Sequence, residues 1–104
     1  MDARVIISTV NSGELGENII STLVEERLIA CGNLLPKGVS IYRWQGKVER
    51  EEEFLLLMKT TAARLKEAKI RYIELHPYEV PELLVITPSD GAESYLAWIA
   101  ENVS

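Results

Sequence analysis

Apolar residues recur along this chain with two periods, and the changes between them mark out the elements. Val5 to Val10 is rich in β-branched residues and predicts a first strand. "NSGE" follows, where Asn11 or Ser12 can cap a helix and Glu14 suits its positive end. Leu15, Ile19, Leu23 and Ile20, Val24, Leu28 then repeat at helical spacing. They predict an amphipathic helix ending near Ala30, with Cys31 at its C-terminal end and Gly32 and Asn33 as its exit. Two extended runs come next, "VSIYRW" and "EFLLLMKT", joined around "QGK", where Gly46 supplies the positive φ of a tight turn. Thr61 is the expected N-cap of a second helix with the stripe Leu65, Ala68, Tyr72 and Leu75. A last strand, Leu83 to Thr87, leads through "PSDG" to a short helix carrying Tyr95, Leu96, Trp98 and Ile99. The order β-α-β-β-α-β plus a terminal helix predicts one α+β domain over residues 1–104, a ferredoxin-like sandwich.

The two middle strands look about twice the usual ~5–6 residues. "FLLLM" is apolar at successive positions, so both faces of that strand want cover. Two helices can cover only one face of a small sheet. The terminal helix and other copies of the chain must cover the rest, which predicts a homo-oligomer.

Charge narrows the function. Sixteen acidic against eleven basic residues give a net charge of −5, the wrong sign for a nucleic-acid binder. A single cysteine, Cys31, forms no internal disulfide and suits a reducing compartment. "MDARVIISTV" reads as a strand rather than a signal peptide, and no apolar stretch approaches the ~20 residues that span a bilayer. These features predict a cytoplasmic protein without a membrane partner.

The segment "LHPYEVPELL", from Leu75, carries the only histidine, two prolines and two glutamates. Proline pushes the residue before it out of the helical region, so Pro77 should end the second helix and Pro81 should open the last strand. That explains the prolines and leaves the polar residues between them. His76, Tyr78, Glu79 and Glu82 share one stiff connector, and an imidazole with two carboxylates suits a borderline divalent cation. The alternative is a hydrogen-bonded histidine at a surface or interface. Cys31 is either a small buried residue or a soft metal ligand. "EREEE", residues 49–53, either gathers cations or forms a solvated strand end that discourages edge pairing. Tyr42, Trp44 and Lys59 on the hairpin could line a small-ligand pocket or a subunit contact. No nucleophile elbow, phosphate-cradling loop or Cys-X-X-Cys occurs, so the sequence favours binding over catalysis.

Taken in order, "LVEERLIACGNLLP", "SIYRWQGKVE", "LLLMKTT", "LHPYEVPELL" and "YLAWI" resemble the CutA family of divalent-cation tolerance proteins over nearly the whole chain. The resemblance implies a ferredoxin-like subunit in a tight homotrimer, located in the cytoplasm. It implies a role in tolerance to divalent metals, copper especially. The family's polar cleft would fall on Lys59, His76, Tyr78, Glu79 and Glu82, with Tyr42 and Trp44 near it. Some relatives carry a cysteine where this chain has Ser8, and a histidine where it has Leu75. Without those soft ligands, copper or zinc should bind weakly, at His76 with Glu79 or Glu82 and with Cys31 as a further candidate ligand. The family is also similar to the PII signalling trimers, which implies a second reading: a regulatory trimer that binds a small anionic effector or a protein partner.

Overall fold

The computed structural model describes residues 2–104. The elements run β1 (Ala3–Val10), α1 (Gly13–Glu25), β2 (Cys31–Trp44), β3 (Lys47–Thr61), α2 (Leu65–Leu75), β4 (Leu84–Ile86) and α3 (Glu93–Asn102). The strands form one antiparallel sheet in the order β2-β3-β1-β4. This is the ferredoxin-like α+β arrangement, with an extended β2–β3 hairpin and a C-terminal helix.

Period-two alternation sorts each strand into faces. Ile6, Ser8 and Val10 on β1 and Leu56, Met58 and Thr60 on β3 are fully buried, and they lie beneath α1 and α2. Ile19 and Leu23 of α1 and Ala68 and Tyr72 of α2 complete this core. The other face carries Val5, Ile7, Leu55 and Leu57, each half-buried, and the exposed Leu84 and Ile86 of β4. On that side α3 covers only the end near Ala3, where Ala30, Ile99 and Val103 form a second small cluster. Most of this apolar face has no cover among the described residues.

Several boundaries differ from the sequence expectation for identifiable reasons. Helix α1 stops at Glu25, not near Ala30, because Arg27 takes a left-handed φ of 59°. The Arg27 and Leu28 N–H groups then close back on the carbonyls of Val24 and Leu23, as in a Schellman turn. Cys31 therefore opens β2 rather than ending a helix. Thr61 is drawn into β3 by pairing with Ala3, so α2 begins at Leu65 after a turn, with Arg64 as its N-cap. The last strand is shorter than expected and starts three residues after Pro81. The hairpin turn has positive φ at both Gln45 and Gly46, the primed geometry that matches strand twist. The β2–β3 register slips between Leu35 and Gly38, around Pro36, which has no N–H for the ladder. Beyond that bulge the hairpin continues as an arm.

An acidic, aromatic groove as the candidate functional site

Pro77 ends α2 as expected, leaving His76 extended at φ −91° and ψ 130°. The connector that follows is held by a chain of hydrogen bonds. His76 Nε2 lies 2.8 Å from the carbonyl oxygen of Thr9, and the Tyr78 N–H donates to His76 Nδ1 at 3.2 Å. That pair of contacts puts the ring proton on Nε2. The Ser8 hydroxyl donates to the Glu82 carbonyl at 2.6 Å and accepts from the Tyr72 hydroxyl. Tyr78 Oη donates to Glu53 Oε2 at 2.8 Å, tying the connector to the hairpin. Its ring meets His76 edge-on at a centroid distance of 4.4 Å.

Between connector and hairpin arm lies an open groove of about 910 Å³. It is lined by Tyr42, Trp44, Tyr78, Glu79 and Glu82, all of which the sequence had singled out, and also by Glu49, Glu51 and Glu53. Arg43 is the only cationic residue among the described residues that line it. The tyrosines register the acidity. Burial, then the hydrogen bond to Glu53, pushes the Tyr78 phenol well above its ordinary value. Desolvation, then Glu51, raises Tyr42.

Three expected site residues are placed differently. His76 is buried with both ring nitrogens engaged, so it presents no free lone pair to a metal. Lys59 lies outside the groove, opposite Cys31 in the β2–β3 register, and its ammonium donates to Asn33 Oδ1. Cys31 is half-buried with Sγ 3.6 Å from the Tyr95 hydroxyl of α3. Lys59 pairs with Val5 and Leu55 with Thr9, so that pair sits about 13 Å along the strands from the groove edge at Thr9. The anionic-effector reading loses the cation it relied on. Among the described residues, no three His, Cys, Asp or Glu side chains converge as a ligand set.

The hairpin glutamates are the residues that sequence reasoning undervalued. Glu49, Glu51 and Glu53 fall on one face by simple alternation, opposite Tyr42, Ser40 and Gly38 in the ladder. That parity was visible in "EREEE", but its meaning depends on a register slip at Pro36 that the sequence alone does not fix.

The fold and groove define a class: a ferredoxin-like chain with a long hairpin and an acidic, aromatic cleft. Residues 4–102 match the family model of the CutA1 divalent ion tolerance protein. The divalent-cation tolerance protein CutA of Thermus thermophilus is 47% identical over 99 residues, covering 95% of this chain and 96% of its own. The crystal structure of CutA from Xylella fastidiosa superposes with a TM-score of 0.97 at 42% identity, covering 100% of both chains. CutA from Archaeoglobus fulgidus, described as a periplasmic divalent cation tolerance protein, superposes at 0.94 with 31% identity, covering 98% of this chain and 99% of its own. The chain belongs to the CutA family of divalent-cation tolerance proteins.

Proposed function

We propose that the protein is a cytoplasmic homotrimer that binds divalent cations weakly, copper or zinc, and serves tolerance or response to those metals rather than catalysis. The observation that carries the binding site is the groove, where five glutamates gather around three aromatic rings with a single arginine among them. Glu79 and Glu82 are the proposed metal ligands, completed by water or by a neighbouring subunit. His76 acts behind them, by fixing the connector that presents them. Oxygen ligands with water in the open positions give modest affinity and little selectivity beyond the general preference for copper. The reading as a binder draws on the separation of the chain's one imidazole from its one thiol, which leaves no Cys–His pair for nucleophilic chemistry. The trimer draws on the uncovered sheet face, and the cytoplasmic location on the single free cysteine.

Calorimetry with copper and zinc tests the site. Wild type and Cys31→Ser should bind alike, and a Glu79→Gln, Glu82→Gln double variant should lose most of the heat. Binding that survives in the double variant but disappears with Cys31→Ser would move the metal to the Cys31–Tyr95 end of the sheet. Light scattering should give three times the 11.7 kDa chain mass.

A further inference from the structure

Ser8 is a hydroxyl where alternation calls for an apolar side chain. It is fully buried on the core face of β1, between Ile6 and Val10 and opposite Leu56. A hydroxyl in such a place is costly unless it is bonded. Both of its bonds serve one end. It accepts from the hydroxyl of Tyr72, also fully buried, and donates to the Glu82 carbonyl at 2.6 Å.

That second bond lies where the sheet gives out. Among the described residues, β1 pairs with β4 through Val5–Ile86, Ile6–Val85 and Ile7–Leu84. Continuing the register would set Ser8 opposite Leu83 and Thr9 opposite Glu82. The chain there has just left Pro81, which has no N–H to give, and side chains take over from the ladder. The Glu82 carbonyl accepts from Ser8, and the Thr9 carbonyl accepts from His76 Nε2 at 2.8 Å. Leu83 packs against the helical core, so alternation turns Glu82 the other way, into the groove. Fixing the Glu82 carbonyl fixes that direction.

We propose that Ser8 and Tyr72 are positioning residues of the groove. Ser8 pins the backbone of Glu82, and Tyr72, by donating to the Ser8 oxygen, keeps the Ser8 proton on the Glu82 carbonyl. Neither side chain lines the groove, and their effect reaches it through the connector, residues 76–83. The consequence for metal affinity rests on Glu79 and Glu82 being the ligands. The consequence for the connector does not.

Thr60 supplies a matched control. Its hydroxyl donates to the Leu28 carbonyl at 2.6 Å, equally buried, on the same core face but toward the Ala3 end. Ser8→Ala and Thr60→Val each remove one buried hydroxyl-to-carbonyl bond, so a purely structural role makes them equivalent. Amide hydrogen exchange on the intact protein reads the connector through the Tyr78 N–H, which is bonded to His76 Nδ1. Ser8→Ala should speed that exchange on the order of tenfold and weaken zinc binding by about fivefold, as loss of one hydrogen bond does. Ser8→Thr, which keeps the hydroxyl, should restore both, and Tyr72→Phe should fall between. Thr60→Val should leave both at wild-type values. Equal changes in Ser8→Ala and Thr60→Val would overturn the proposal, and if Ser8→Ala does not fold, Tyr72→Phe carries the same comparison. Faster exchange with unchanged zinc affinity, while Glu79→Gln with Glu82→Gln abolishes binding, would also overturn it and leave the metal reading standing. If wild type binds no zinc, the metal reading fails, and the exchange contrast alone upholds or overturns the placement of the connector by Ser8.

Discussion

Tyr72 carries its hydroxyl into the sheet core, where it donates to Ser8 and through it braces the Glu82 carbonyl. Burial pushes this phenol up to about 12 from 10.0, against the lowering effect of the Ser8 hydrogen bond and with Glu82 and Glu53 adding to the rise. A folded pKa above the unfolded one means stability that is complete below pH 10 and is lost as pH climbs toward 12. Tyr72→Phe should therefore cost about 1 kcal/mol at neutral pH and flatten the alkaline decline expected of wild type in denaturant melts above pH 10. An unchanged alkaline slope would assign that decline to other groups. His76 offers a sharper contrast. His76→Ala leaves the Thr9 carbonyl and the Tyr78 N–H without their partner, and should destabilise the fold by about 2–3 kcal/mol. A histidine that served only as an exposed ligand would cost almost nothing on truncation. The sequence singled this residue out but could not assign its contacts. The partner is the backbone of β1, 67 residues away, and no local pattern encodes that contact.

At the scale of elements, alternation and helical stripes were enough to find every strand and helix, while their ends depended on tertiary contacts. Helix α1 illustrates why. Leu28 continues the apolar stripe past the true end because it is the hydrophobic residue that follows a Schellman turn and packs into the same core. The expected signal at the left-handed position is glycine, and this chain has Arg27 there instead. Its guanidinium is held by the Glu101 carbonyl at 2.9 Å and the Ser104 hydroxyl at 3.2 Å, contacts with the far end of the chain. Helix α1 also meets the sheet through Gly16. A Cβ there would stand 2.7 Å from Leu34 Cδ1 and 3.1 Å from Val10 Cγ2. Alanine has the better helix propensity by roughly 1 kcal/mol, but its methyl group must displace the Leu34 side chain and crowd Val10, at a cost of about 1–3 kcal/mol if the packed sheet resists. Gly16→Ala should therefore lower the denaturation midpoint, whereas Glu17→Ala, at an exposed position of the same helix, should not. A stabilised Gly16→Ala variant would mean that the sheet side chains repack freely.

For the whole molecule, the unfinished business is surface. The chain has a radius of gyration of 14.2 Å, against about 13 Å for a compact domain of this length, and it extends 44 Å along its longest axis. Along the hairpin arm Ile41 and Val48 are 69% and 65% exposed, and on the opposite edge strand Leu84 is 61% exposed. Such a distribution is costly for an isolated chain and ordinary for one subunit of an assembly, in which arm and edge strand lie against neighbours. If the open sheet face and β4 form that contact, charge placed there should break the assembly without unfolding the subunit. Leu84→Lys with Ile86→Lys puts two ammonium groups into an apolar contact, each costing several kcal/mol if desolvated. By light scattering this double variant should run as a monomer at concentrations where wild type assembles, with its far-ultraviolet dichroism retained. Ile70→Lys is the control, since Ile70 is equally apolar and 52% exposed but sits on α2, on the helical side of the sheet. It should leave the assembly intact. Dissociation by Ile70→Lys, with an undisturbed assembly in the β4 variant, would turn the subunit over and put the helices, not the open sheet, at the interface.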